Sequence, residues 1–148
     1  MPDPKLLDLA RNTANAEGLD PAVVCAVVEQ ESAWNPWAMR YEPLFFAKYV
    51  APLYTNNKIG ATEAYARGFS WGLMQVMGQT ARELGLTSAH LAALCDPVIN
   101  LTVGCKLLKK KLDSAHGELH KALQSWNGGA NPDYAEEVIA RLPRYRSS

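Results

Sequence analysis

The sequence from Asp20 to Pro36 reads DPAVVCAVVEQESAWNP and predicts the helix on which the fold depends. Asp20 followed by Pro21 is typical of a helix start, because the aspartate accepts hydrogen bonds from free backbone N–H groups and proline already has a helical φ. The next one to two turns are almost wholly apolar, which predicts a helix that is buried on most sides. The helix should end near Ser32, since Asn35 precedes a proline and such residues disfavour the α conformation.

Glu31 lies on the same stripe of this predicted helix as three valines. At about 100° per residue, Val24, Val27, Val28 and Glu31 follow the pattern i, i+3, i+4 and i+7. A carboxyl group held among apolar side chains tends to stay protonated, because desolvation raises its pKa. A proton retained near neutral pH is what a general acid requires. The alternative is that Glu31 belongs to a frayed last turn and simply reaches solvent.

The composition indicates one globular domain without a strong overall charge. Of the 148 residues, 48% are hydrophobic and 20% are charged, and fifteen basic residues balance fifteen acidic ones. No net field therefore draws the chain to nucleic acid or to an acidic membrane. No apolar run reaches the ~18–20 residues needed to cross a bilayer. We expect a monomer with no nucleic-acid partner and no membrane insertion.

The cysteines and histidines do not form a recognisable metal site. Cys25, Cys95 and Cys105 contain no CxxC pair, and spacing alone leaves a Cys95–Cys105 bridge open. His116 and His120 are four residues apart, but their polar neighbours favour an exposed helix face over a ligand pair. We predict neither a metal ion nor a cofactor.

Short helices are predicted along most of the remaining chain. A first helix runs from Pro4 to Glu17, and glycines or prolines delimit further ones at 79–85, 88–94, from Pro97 onward and at 118–126. Asn131-Pro132 caps a last helix, and the tail from Pro143 to Ser148 is expected to be loose.

Two stretches lack a clear periodicity. Met39 to Arg67 contains two prolines and many aromatic residues, so we expect an irregular region with short helical pieces and place no strand in it. Gly68 to Gly78 reads GFSWGLMQVMG, and its glycines predict backbone packed closely against another part of the molecule. The predicted fold class is mainly α, with six to eight short helices around one buried central helix and little or no β-sheet.

Four separated pieces of the sequence share their order with a known family. They are Glu31-Ser32-Ala33-Trp34-Asn35-Pro36, Gly72-Leu73-Met74-Gln75-Val76, Asn100 through Gly104-Cys105 to Leu107-Leu108, and Trp126-Asn127-Gly128-Gly129 followed by Tyr134. Together they resemble the SLT-type lytic transglycosylases, which share a lysozyme-like fold with the goose-type lysozymes. The resemblance runs from about Ala22 to Val138 and implies a single lysozyme-like domain over residues 1–148.

The resemblance implies a role for each matching residue. Glu31 would be the single catalytic acid that protonates the glycosidic oxygen between N-acetylmuramic acid (MurNAc) and N-acetylglucosamine (GlcNAc) in peptidoglycan. Met74 and Gln75 would line the sugar groove. Trp126 and Asn127 stand where the family has Tyr-Asn-x-Gly, and Tyr134 stands where a later tyrosine often faces the cleft.

The sequence departs from the family pattern between Glu31 and Gly72. About thirty residues intervene after Arg40, which replaces the usual serine, and Trp126 replaces the usual tyrosine. Ser70 and Tyr134 are candidates for the missing polar contacts. Glu42 raises a second question, because hydrolysis with inversion needs a second carboxylate ~6.5–9.5 Å from the acid. Its alternative role is a surface ion pair with Arg40, and Glu63 is a weaker candidate for the same carboxylate.

The predicted function is therefore a peptidoglycan-cleaving glycosidase. The leading interpretation is a lytic transglycosylase that leaves 1,6-anhydro-MurNAc ends, and the alternative is a hydrolytic muramidase that uses Glu31 and Glu42. A non-catalytic glycan-binding or assembly module is the rival of another class. The amino terminus MPDPKLLDLARN lacks the basic start and apolar core of a signal peptide. We therefore expect a phage lysis or virion enzyme that acts on the bacterial cell wall, or a chain whose leader has been removed.

Overall fold

The computed structural model describes residues 2–146 and is mainly helical. Helices α1 to α9 span Pro4–Ala16, Pro21–Ser32, Pro43–Phe45, Ala51–Thr55, Ala61–Arg67, Gly78–Glu83, Pro97–Ser114, Leu119–Asn127 and Tyr134–Arg146. A π-helical segment occupies Phe46–Val50 and a 3₁₀ segment occupies Leu91–Cys95. Strands β1 to β3 span Met39–Tyr41, Phe69–Trp71 and Val76–Met77. The predicted mainly α class with little sheet is confirmed, as expected for a lysozyme-like fold.

The chain divides into two compact units. The first combines residues up to Trp34 with residues from Gly104 onward, and the second comprises residues 35–103. Within residues 2–146, every helix is too short or too polar to span a bilayer.

Helix α2 is the buried helix of the first unit. Asp20 Oδ1 accepts the N–H of Ala22 at 2.9 Å, and Pro21 occupies the first turn. Every residue from Ala22 to Val28 is buried, and α2 packs against both α1 and α9. The predicted bounds and burial of this helix are therefore confirmed.

Helix α9 runs through Pro143, so the prediction of a loose tail is wrong for residues 143–146. Proline cannot donate a helical hydrogen bond, but burial of the following turn compensates for the lost bond. Tyr145 is only 9% exposed, and its hydroxyl accepts a 3.0 Å bond from Trp34 Nε1. Residues 147 and 148 lie outside the described residues.

A small antiparallel sheet belongs to the second unit. Strand β1 pairs with β2, with Arg40 opposite Ser70, and β2 pairs with β3, with Trp71 opposite Val76. Sequence patterns do not reveal β1, because three residues are too few to show alternation and their partner strand begins about thirty residues later.

The helix predicted at 88–94 is also wrong in its first half. Only Leu91–Cys95 is helical, and it is a 3₁₀ segment. The carbonyl oxygens of Leu86 and Ser88 accept hydrogen bonds from Arg82 Nη1 at 2.8 and 2.7 Å. This clamp fixes the backbone before Leu91 in a non-helical path.

The cysteines are free thiols, so the Cys95–Cys105 bridge that spacing left open is not present. Cys25 and Cys105 are fully buried in the first unit. Burial raises the pKa of the Cys25 thiol to about 11 and that of the Cys105 thiol to about 12. Both therefore behave as small apolar side chains.

Candidate active site

Glu31 lies in the last turn of α2 and accepts two hydrogen bonds on one carboxyl oxygen. Tyr134 donates its hydroxyl to Oε1 at 2.6 Å, and Trp126 donates its indole N–H to the same atom at 3.1 Å. An indole nitrogen can only donate. Because Oε1 is the acceptor in both contacts, it corresponds to the carbonyl oxygen of the acid form. The two donors therefore fix the orientation of the carboxyl group through one oxygen.

The turn between α8 and α9 brings the two donors to Glu31. Gly128, with φ of 71°, ends α8 directly after Trp126 and Asn127. The amide of Asn127 then donates to the Asn131 carbonyl at 3.2 Å, which closes the turn. Helix α9 begins at Tyr134. Asn127 thus lies next to the donors and holds the loop between them.

Tyr134 is a permanent hydrogen-bond donor toward Glu31. Its side chain is 3% exposed. Burial, followed by the charge of Glu31 and the hydrogen bond to it, raises the pKa of the Tyr134 hydroxyl far above its usual value. A tyrosine that keeps its proton at every working pH cannot act as a base. Its contribution is to orient the carboxyl group and to stabilise its negative charge.

The backbone after Glu31 is held in a strained turn. Ala33 and Trp34 both have left-handed backbones, with φ of 49° and 65°. Such conformations cost of order 1–3 kcal/mol for non-glycine residues and persist where surrounding contacts impose them. Trp34 is 8% exposed and is hydrogen-bonded to Tyr145, which supplies such a contact. The end of α2 is therefore fixed immediately beyond the acid.

The predicted groove residues Ser70, Met74 and Gln75 belong to the second unit. Gln75 donates from Nε2 to the carbonyls of Ala38 and Gly72 at 3.1 and 3.0 Å, and its Oε1 accepts the Ser70 hydroxyl at 2.8 Å. Met74 is fully buried. These side chains fix the loop that carries them.

Asn100 organises the same loop and is a residue that sequence reasoning underestimates. It is fully buried, and its Oδ1 accepts the Met74 N–H at 2.8 Å. Its Nδ2 donates to the carbonyls of Trp71 and Leu94 at 2.7 and 2.9 Å. Asn100 opens the third motif and precedes Gly104 by four residues, so the two lie on the same side of α7, and this spacing is the signal that identifies it.

Gly72 explains the glycine-rich character of this loop. Its φ is 70°, and a Cβ atom there would lie 2.4 Å from Asn100 Nδ2 and 2.5 Å from the Leu94 carbonyl oxygen. A side chain at position 72 would therefore overlap both atoms and disrupt the hydrogen bond that joins them. The predicted close packing of residues 68–78 is confirmed at this position.

Glu42 forms an ion pair with Arg40. Arg40 Nε lies 3.2 Å from Glu42 Oε1, and the two side chains are 76% and 36% exposed. The weaker candidate, Glu63, is held by Arg67 and Arg82 at 3.1 and 2.6 Å. Both carboxylates therefore have basic partners within the second unit.

The comparisons with known proteins agree with these motifs. Residues 8–139 match the family described as "Transglycosylase SLT domain", so the chain belongs to this family. The chain is also 34% identical over 113 residues to a protein of Enterobacteria phage PRD1 named "Transglycosylase". The aligned region covers 76% of this chain and 31% of that relative. No solved structure matches the chain.

Proposed function

We propose that the chain is a lytic transglycosylase that cleaves the β-1,4 bond between MurNAc and GlcNAc in peptidoglycan. The observation that carries the proposal is the carboxyl group of Glu31, which ends a buried helix and is oriented by two donors on one oxygen. The family membership and the phage relative named "Transglycosylase" support the same reaction.

The reaction needs one carboxyl group that acts first as an acid and then as a base. Glu31 gives its proton to the glycosidic oxygen, and the bond from that oxygen to C1 of MurNAc breaks. The resulting carboxylate then takes the proton of the MurNAc 6-hydroxyl. The oxygen of this hydroxyl bonds to C1 and closes the 1,6-anhydro ring. Tyr134 and Trp126 stabilise the negative charge on Glu31 between the two steps.

The remaining predicted residues have supporting roles in this proposal. Asn127 holds the loop beside the two donors, and Ser70 with Gln75 shapes the loop of the second unit. Met74 is fully buried, so we propose a packing role for it instead of a direct sugar contact. No cofactor takes part.

Hydrolysis by Glu31 and Glu42 is the second candidate reaction. Glu42 also has a role that does not involve hydrolysis. The ion pair with Arg40 gives this carboxylate a partner within its own unit. We therefore propose that Glu42 does not activate water, and that the products are anhydro sugars.

The test is mass analysis of the fragments released from purified peptidoglycan. Anhydro ends are one water lighter than hydrolysed ends. The Glu31→Gln protein should lose about 10²–10⁴-fold or more in rate while remaining folded, and Glu42→Gln should keep most of its activity. Reducing-end products together with an inactive Glu42→Gln protein would establish the muramidase reaction. Glycan binding without any cleavage by the unaltered protein would favour the binding module.

The proposed place of action is the bacterial cell wall. The phage origin of the relative supports a lysis or virion role for this chain as well. The proposed partner is a glycan strand of alternating GlcNAc and MurNAc, bound by a monomer without nucleic acid.

A further inference from the structure

We infer that Trp37 is a sugar-stacking residue that contributes to glycan affinity, and that Gln75 positions it. The inference rests on the proposed function, because it names the glycan strand as the occupant of the exposed ring. It concerns the second unit, which contains both residues.

Trp37 is unlike the other tryptophans of the chain in its exposure. Its residue surface is 74% exposed, whereas Trp34 and Trp71 are 8% and 7% exposed and Trp126 is half-buried beside Glu31. A large aromatic side chain in a protein core buries about 150–250 Å² of surface. The exposed indole of Trp37 does not gain the stabilising free energy that this burial would give. A flat apolar face of this kind is complementary to the C–H face of an N-acetylated pyranose ring.

The backbone that carries Trp37 is fixed from several directions. Pro36 precedes it, and its own N–H donates to Asn35 Oδ1 at 3.0 Å. The Ala38 N–H donates to the Asn35 carbonyl at 3.2 Å, which completes a turn around Pro36 and Trp37. The backbone that carries the ring is therefore held in a defined turn, and binding has to fix only the two χ angles of Trp37, which keeps the loss of conformational entropy small.

Gln75 connects this turn to the Gly-Leu-Met-Gln motif. The Ala38 carbonyl accepts the Gly72 N–H at 2.7 Å and Gln75 Nε2 at 3.1 Å. With its other bonds to Gly72 and Ser70, the amide of Gln75 is engaged inside the unit. Gln75 is therefore a positioning residue, and its influence on the glycan passes through the Trp37 turn.

The first experiment measures binding in the Glu31→Gln background, where glycan is not cut. The ligand is a strand of alternating GlcNAc and MurNAc without stem peptides. Trp37→Ala should raise the Kd by about tenfold, since truncating a tryptophan that contacts its ligand costs more than about 1 kcal/mol of binding free energy. Trp37→Phe, which keeps a flat ring, should recover most of the affinity.

Leu44→Ala is the matched control. Leu44 is 85% exposed and belongs to the same unit, but its helix is not part of the turn. Its affinity should equal that of the background protein. Iodide quenching of tryptophan fluorescence supplies a second readout, because bound glycan should protect a component that is missing in Trp37→Phe.

The second experiment tests the positioning role by a double-mutant cycle. Gln75→Glu keeps the size of the side chain and its acceptance of the Ser70 hydroxyl, but it removes the donor to the carbonyls of Ala38 and Gly72. The variant should weaken binding by about threefold to tenfold when Trp37 is present and much less when position 37 is alanine. Additive losses in correctly folded proteins would show that Gln75 does not act through Trp37.

The outcomes separate this inference from the proposed reaction. Unchanged affinity in Trp37→Ala, together with iodide quenching of the Glu31→Gln protein that glycan does not reduce and with normal cleavage by the unaltered protein, would overturn the stacking role and leave the transglycosylase in place. If the unaltered protein cleaves no glycan but its glycan binding depends on Trp37, the stacking role would stand and the transglycosylase reaction would be overturned.

Discussion

The hydroxyl of Tyr134 lies 2.6 Å from Oε1 of Glu31, although the two residues are 103 positions apart in the chain. This contact converts a glutamate at a helix end into a carboxyl group with distinguishable oxygens. Trp126, which stands where the family pattern has a tyrosine, donates an indole N–H to the same oxygen. The hydroxyl group beside the acid comes from Tyr134, the first residue of α9.

Replacing Tyr134 with phenylalanine should lower the cleavage rate while the domain stays folded. The ring remains to fill its buried space, and only the hydrogen bond to Glu31 is lost. Hydrogen bonds to charged groups contribute about 1.5–3 kcal/mol, which corresponds to a roughly tenfold to hundredfold loss of kcat/KM. Thr13→Val is the control, because it removes a partly buried hydroxyl of the first unit that bonds to the Leu9 carbonyl within α1. Equal rates for Tyr134→Phe and the unaltered protein would exclude the role assigned to this hydroxyl.

Replacing Asn100 with aspartate should destabilise the protein strongly. The new oxygen would face the carbonyls of Trp71 and Leu94, which now accept from Nδ2 at 2.7 and 2.9 Å. A buried charge without compensation costs about 3–5 kcal/mol. Urea unfolding measures this loss, and Asn12→Asp on the exposed face of α1 should be close to neutral. A loss below about 1 kcal/mol for Asn100→Asp would show that these hydrogen bonds contribute little.

Alanine at Gly72 should be much more damaging than alanine at Gly85. Both glycines have left-handed backbones, with φ of 70° and 96°, so both substitutions carry backbone strain. Only at Gly72 does the new Cβ meet other atoms, at 2.4 Å from Asn100 Nδ2, whereas nothing lies within 4 Å at Gly85. The difference between the two unfolding free energies isolates the clash, which we expect to exceed about 2 kcal/mol. Similar losses at the two positions would mean that the loop relaxes around the methyl group.

The stability of the protein should fall in acid partly through Glu63. The hydrogen bond from Arg82, opposed by burial and aided by Arg67, holds the pKa of the Glu63 carboxyl below its ordinary value. The unfolded state therefore binds the proton more readily, and stability rises with pH in the interval between the two pKa values. The contribution is complete above the ordinary glutamate pKa and is lost as pH falls through the folded-state value. Unfolding measured from pH 3 to 7 should show a shallower dependence in Glu63→Gln; identical slopes would count against the ion pair.

The sequence predicts the parts of the fold that rest on local chemistry. Asp20-Pro21 and the apolar run after it locate α2 within a residue, because a cap and a buried stripe are local features. Glu31 is identified in the same way, from its place on that stripe. The turn after α8 follows from Gly128 and Gly129, which the sequence shows directly.

Other features depend on partners that are distant in the chain. Trp34 and Trp37 look equivalent in the sequence, yet only one is buried, because Tyr145 packs against Trp34. Pro143 predicts a helix end, and tertiary burial of Tyr145 overrides it. Gln75 is read as a sugar ligand from its motif, whereas its hydrogen bonds to Ala38 and Ser70 become visible only in three dimensions.

The first unit is assembled from both halves of the chain, and this dictates when the carboxyl group acquires its donors. A ribosome makes Glu31 95 residues before Trp126 and 103 before Tyr134. Until that later portion emerges and folds back, a nascent chain carries the acid without either group that orients it. The two hydrogen bonds on Glu31 therefore form only after every residue through Tyr134 has been made and α8 and α9 have packed beside α2.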